Sequence, residues 1–530
     1  MALRPQVFPE ERLTMFLRRT IRVAAALLAV GLLASCGSTD SASGGSGSPD
    51  TEATLRTGWT TGTQTLDPHM AISEIATFRF GLNMIYDRLF TVKADGTAEG
   101  MLVENYSYSE DGLALVLDLR EDATFRDGSS VDGDVVKVNL DRARTLDSPS
   151  VKSRMKPVVD VAVTGPYQVT LTLANPTDVV PYILAEMAGF IMHPDLIAHG
   201  NPAVETNGSG AYSVESFAPG EKLVIVRDRT DYWDRGAAKI ARIEYEAIPD
   251  TQAFTNAMAG GQIDLGLFVP GTVAALEGRK GLVTVNIPSG TGVELFLNRN
   301  TAPLDDVRVR KAINYAYNRE EIVAALFPGS DARYQYSRAG LPGYDASLEG
   351  IYSYDPERAK KLLAEAGHPD GIDLGRVIIV NTITPGVADV LQEQFAQAGI
   401  KMTPIVKDGL EGPQSFSRGE ESAMVQVSTM GTGFTAGSNY RWGPRTNPAG
   451  VTPEYEKMLT DATDPRRSGQ EREASSVELN RYLVEEAWGA PLTWSTAPWV
   501  MSDKVGNFSA EMDYARTIGP YDPRYLTVSG

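Results

Sequence analysis

Leucines at 113, 115, 117 and 119 alternate with Ala114, Val116 and Asp118, the period of a strand with one buried face. Asp111-Gly112 supplies a turn just ahead of it. From residue 356 the period lengthens. Ala359, Leu362, Leu363 and Ala366 fall at helical spacing, with Asp355 placed to cap, Pro356 at the first helical position and Gly367 to stop. Glu357 and Lys361 are spaced for an ion pair on the wet side of that helix. Val309, Ala312, Ile313 and Ala316 repeat the spacing within 306–319, which puts Arg308 and Arg310 on a solvated face. Residues 377–380 read as a buried strand, 385–398 as a helix with Val387, Val390, Leu391 and Phe395 inward, and 401–406 as a further strand. A strand, helix, strand succession implies parallel pairing and an α/β architecture.

The N-terminus carries a different pattern. Arg18, Arg19 and Arg22 precede the apolar run 23–35, which is shorter than the ~20 residues a spanning helix needs. Leu33-Ala34-Ser35-Cys36-Gly37 follows, and it resembles the lipobox of bacterial lipoproteins. That resemblance implies a signal peptide over 1–36, with Cys36 lipidated as the mature N-terminus and anchored to the membrane by more than one acyl chain. Arg18-Arg19 leaves general and twin-arginine export both open, and Met1 and Met15 both fit as starts. Residues 37–51 are rich in Ser and Gly and read as a flexible tether.

Composition narrows the function. A chain of 530 residues is long enough for two large lobes. A formal net charge of −19 argues against a nucleic-acid partner, which would need clustered Lys and Arg. Cys36 is the one cysteine, so neither an internal disulfide nor a Cys-ligated metal is available. The four histidines, His69, His193, His199 and His368, are scattered, and HExxH, G-x-S-x-G and P-loop signatures are all absent. The chain is therefore read as a binder rather than an enzyme, without cofactor or metal. A secreted hydrolase is the alternative from another class.

Several ordered segments resemble family 5 of the bacterial extracellular solute-binding proteins, the group with oligopeptide, dipeptide and nickel importers. They are Leu66-Asp67-Pro68-His69, Ile85-Tyr86-Asp87-Arg88-Leu89-Phe90, Phe125-Arg126-Asp127-Gly128 with Asp134-Val135, Gly208-Ser209-Gly210-Ala211-Tyr212, Asp231-Tyr232-Trp233, and Asn298 followed by PLDDVRVRKAINYAYNR ending at Arg319. Gly133 departs from the alanine usual in the third of these. Most of these motifs read as structural: Phe125 to Gly128 as a turn, Asp134 as a helix start.

The resemblance implies a two-lobed periplasmic-binding-protein-like α/β fold of class II, cluster C type. Lobe one is expected over 52–290 with a subdomain near 77–204, lobe two over 291–500, and 501–530 returning to lobe one. It also implies an extracytoplasmic, monomeric component of an ABC importer, closing over a peptide or similar small polar solute and docking on permease subunits. Oligosaccharides, opines and metal complexes are the alternative solutes. Ligands in α/β lobes sit beyond the carboxyl ends of strands. That rule points to Trp59, Thr60 and Thr61 after the first strand, to Tyr440, Arg441 and Trp442 after the strand at 423–428, and to Trp494 near the C-terminus. Peptide-binding relatives usually hold the ligand's amino terminus with an aspartate in this region. None lies between Glu421 and Asp461, which leaves a blocked peptide, a sugar-like solute or an anion paired to Arg441 in play.

Overall fold

The computed structural model describes residues 49–530 apart from 71–75, 94, 149, 269, 430–433, 436, 438–441, 444, 509–513, 516–518 and 521–522. Strand β1 (Thr54–Trp59) is followed by the paired β2 (Phe90–Val92) and β3 (Ala98–Gly100). Next come β4 (Val103–Tyr108), β5 (Ala114–Leu119), β6 (Val158–Gly165) and β7 (Gln168–Leu173), an antiparallel sheet in the order β4-β5-β7-β6. The later strands are β8 (Tyr212–Ala218), β9 (Lys222–Arg227), β10 (Arg242–Ala247), β11 (Leu265–Leu267), β12 (Leu282–Leu297), β13 (Asp331–Ala332), β14 (Ile372–Val380), β15 (Ile400–Lys407), β16 (Ala423–Thr429) and β17 (Gly489–Ser502). They join β1 in one sheet ordered β15-β14-β16-β12-β17-β11-β1-β10-β9-β8, with β13 beside β17.

Local chemistry explains the elements. On β5, Leu115, Leu117 and Leu119 are buried, while Leu113 lies outside the strand and is 38% exposed. The helix Val387–Gln397 connects β14 to β15, which pair in parallel as the strand, helix, strand reading requires. Helix Pro356–Glu365 is capped by Asp355, with Ala359 and Leu363 buried. The expected Glu357–Lys361 pair does not form: Lys360 reaches Glu357 at 2.7 Å and Lys361 turns to Glu365 at 3.9 Å. Pairs at i,i+3 and i,i+4 compete for the same carboxylates on a helix surface. Helix Gly133–Thr145 is capped by Asp132, whose Oδ1 accepts from Val135 N at 3.0 Å, so Asp134 lies in the first turn and is not the start. Arg310 is likewise not solvated: it is 5% exposed and donates to the carbonyl oxygens of Leu304, Asp305, Glu486 and Ala487. Buried carbonyl oxygens need such donors. Arg308 keeps to the wet side, paired with Asp306.

Two large cores result. The first gathers residues from Leu55 to Ile287 and again from Ala497 to Val528; the second runs from Val293 to Trp494. Both changes of core occur inside paired strands. Leu282 to Pro288 of β12 pair with Thr496 to Ser502 of β17, Gly292 to Phe296 pair with Gly489 to Trp494, and the register breaks between Pro288 and Gly292. A Cβ on Gly292 would lie 1.8 Å from Thr493 O, so the strands can approach this closely only at a glycine. Pro49 bridges Ser529, and Asp50 N donates to Val528 O at 2.8 Å.

The first core is organised around Asp87, which has no exposure. Its carboxylate accepts from Ser209 Oγ at 2.9 Å, Tyr232 Oη at 2.6 Å and Trp233 Nε1 at 3.1 Å, and Arg524 lies 3.9 Å away. Gly208 and Gly210 let their segment lie on the end of the helix Ala76–Ile85, since a Cβ on either would come within 2.5 Å of that helix's backbone oxygens. Arg126 clamps the same segment through Gly208 O at 2.7 Å while holding Asp228 at 2.8 Å. Asp67 is gripped by both terminal nitrogens of Arg142, at 2.9 and 2.5 Å. Removing one member of a buried charged network costs about 3–5 kcal/mol. Asp87→Ala should therefore lower the thermal midpoint by several degrees in a calorimetric scan. A midpoint unchanged within error would refute this role for Asp87.

Candidate functional site

The crossing of β12 and β17 between the cores is where the two halves join. Trp494 of β17 stands opposite Gly292 and beside Asp331 of β13. The Arg333 guanidinium lies 4.0 Å over its ring, and that of Arg338 lies 5.8 Å from it. Arg338 donates from Nη1 to Ser289 O at 3.1 Å and to Ser495 O at 3.5 Å, thereby touching both crossing strands, and pairs with Asp331 through Nη2. Arg333 and Glu294 form a fully enclosed ion pair at 3.8 Å, with Ser428 Oγ accepting from Arg333 at 2.7 Å. Thr291, Ser495 and Thr496 remain half-buried here, and Pro288 is exposed.

The residues picked from sequence fall into three groups. Trp59 is fully enclosed by Phe80, Tyr245 and Trp499, and its indole donates to Thr57 Oγ1 at 3.0 Å. Its ring is spent on the first core, while Thr60 is half-buried and Thr61 exposed. Trp442 and Trp494, 4% and 6% exposed, belong to the second core. They are linked through Tyr336 and Arg333: Tyr336 meets Trp442 edge-on at 5.3 Å, and Arg333 lies 5.4 Å from the Tyr336 ring. Tyr440 and Arg441 lie outside the described residues. Trp442 is held further by Trp488, over which Arg299 stacks at 3.6 Å. Burial, with Arg310 nearby, brings the Arg299 guanidinium down to about 10, still charged at neutral pH.

Arg333, Arg338 and Glu294 were missed from sequence. A lone acid among apolar neighbours in Val293-Glu294-Leu295-Phe296-Leu297 was the available signal, since an isolated charge in a buried strand demands a partner. Nothing local marked the arginines. Among the described residues no group of three or more His, Cys, Asp or Glu is arranged to hold a metal. His69 lies in the first core, where burial, aided by Arg142, lowers its imidazole to about 4 and keeps it neutral at pH 7. His193 caps the helix Pro194–His199 by accepting from Asp195 N at 3.1 Å. Two open depressions, of about 700 and 570 Å³, lie on β4, β5 and the β6–β7 turn and on the helix Pro356–Glu365, away from the strand crossing.

Two α/β lobes joined through a pair of crossing strands are the build of a protein that holds a solute between its halves. The profile of the Bacterial extracellular solute-binding proteins, family 5 Middle, matches residues 97–447, and the chain belongs to this family. It is 28% identical over 382 residues to the glutathione-binding protein GsiB of Salmonella paratyphi A, covering 70% of this chain and 73% of that one. NikA from Brucella suis, solved with Fe(III)-EDTA, superposes with a TM-score of 0.76 at 23% identity, over 90% of this chain and 100% of that one. DppA from Helicobacter pylori, solved with the peptide STSA, gives 0.74 at 19%, over 90% and 98%. The protein is thus a solute-binding component of the ABC-importer type, and its relatives are named as binding proteins. If the Glu294–Arg333 pair is the structural anchor of the crossing, Glu294→Ala leaves Arg333 buried without its carboxylate. Denaturant titration should then show a loss of about 3 kcal/mol or more. A loss below about 0.5 kcal/mol would remove the pair from that role.

Proposed function

We propose that this protein is a membrane-anchored lipoprotein that captures a short peptide or peptide-like solute of the glutathione class between its lobes and hands it to a permease. The observation that carries the reading is the pair of strands β12 and β17, each shared by both cores and broken in register where the cores part. Closure about such a crossing would enclose a small solute and expel water from it. GsiB of Salmonella paratyphi A supports a peptide-like solute. The lack of any aspartate between Glu421 and Asp461 favours, as a second reading, a blocked or anionic solute met by Arg441. No chemical step is assigned, so the solute should leave unchanged.

Calorimetric titration with reduced glutathione, short free and blocked peptides, an opine and a nickel chelate tests the class. A saturable, one-to-one signal from glutathione or a peptide is expected, with mass spectrometry finding the solute intact. A signal from the opine or chelate alone would overturn the peptide reading. Arg441→Ala should weaken that binding by about tenfold, equivalent to ~1.4 kcal/mol, without lowering the thermal midpoint. Trp59→Ala should instead lower the midpoint, since its ring is wholly enclosed. Cys36→Ser should move the protein from the membrane to the soluble fraction on cell fractionation, and persistence in the membrane would refute lipidation there.

A further inference from the structure

The lobes also touch away from the crossing strands. The segment that follows β7 brings Asp178, a first-lobe residue, against two helices of the second lobe, Pro453–Thr463 and Gly469–Glu485. Asp178 N donates to Thr463 O at 2.7 Å, and Arg472 Nε donates to Asp178 Oδ2 at 3.0 Å. Alongside, Gly112 in the turn before β5 lies close to Arg466, whose Cγ would stand 3.3 Å from a Cβ there. Because these partners come from opposite lobes, rotation about β12 and β17 must break both bonds. We propose that Asp178, Thr463 and Arg472 form a closure latch that sets the balance between open and closed lobes in the absence of solute.

The groups facing the Asp178 carboxyl are Arg472 from one helix, Asp464 just past the end of the other, Tyr106 and Tyr108 on β4, and Tyr182 on the helix Val180–Leu184. Burial at this contact pushes the carboxyl up to about 7; Arg472 and the Asp178 backbone N–H oppose the rise and Asp464 adds to it. With the lobes apart the carboxyl meets water and returns towards the ordinary range of about 4. The closed form therefore binds the proton more tightly. Its advantage is fully present below the open-form value and is lost as pH rises through about 7. Leu341 of lobe two also packs on the first core, an apolar contact with no proton to lose.

The test rests on the two-lobed reading but uses no solute, so its outcome is independent of which solute is bound. The full chain carrying Cys36→Ser takes a dye pair at Asp160→Cys and Lys361→Cys, exposed positions on opposite lobes. Single-molecule energy transfer is recorded in plain buffer at about pH 5.5 and about pH 8.5. The closed-to-open ratio of the parent should fall by roughly threefold or more at the higher pH. Asp178→Ala should lower it at about pH 5.5, where the protonated carboxyl is lost, and leave it flat with pH. Arg472→Ala should lower it chiefly at the higher one, where the half-buried carboxylate is left without its partner. Asp178→Asn, which keeps the backbone bond and cannot ionise, should stay closed and flat with pH. Distance distributions in Asp178→Ala and Arg472→Ala that match the parent at both pH values would overturn the latch.

Discussion

Strands β12 and β17 run a ladder of backbone hydrogen bonds from one core into the other, and the ladder cannot be cut without stranding donors and acceptors in the interior. Where the cores part, the ladder is interrupted by a local break in register rather than by a loop. Gly292 makes the break possible because no side chain could fit against Thr493 O. Arg338 spans both strands at the break, so the crossing is stiffened by a charged side chain as well as by the ladder.

Within the first core the family motifs acquire a common physical reason. Asp87, Ser209, Tyr232 and Trp233 lie far apart in sequence yet meet at one buried carboxylate, joined by Arg524 from near the C-terminus. The motifs identify the fold because they satisfy this charge and the backbone around it. They do not line the strand crossing. A chain can thus keep its family signature while its solute changes, which fits the diversity of ligands in the solved neighbours.

Periodicity carried much of the fold. The alternation on β5 and the strand, helix, strand unit at 372–407 were legible because burial on one face writes a period into the sequence. Pair partners were not legible. The choice of Lys360 over Lys361 by Glu357, and of Asp132 over Asp134 as cap, turns on rotamers and backbone angles that composition does not encode. Arg310 looked solvated because its neighbours on the helix are polar, and only the docking of β17's approach against that face buries it. The aromatic residues chosen for the site show the same limit. A tryptophan at a strand end is equally suited to stack on a ligand or fill a core, and Trp59 and Trp442 lie largely within their cores.

The bridge between Pro49 and Ser529 brings these two segments side by side on lobe one. Sequence order is then nearly arbitrary for this lobe. A short linker from the C-terminus to Pro49 could close residues 49–530 into a ring, and new ends could be cut in an exposed loop of the other lobe without breaking a strand of the large sheet. A fluorescent partner fused at the C-terminus would ride beside Pro49.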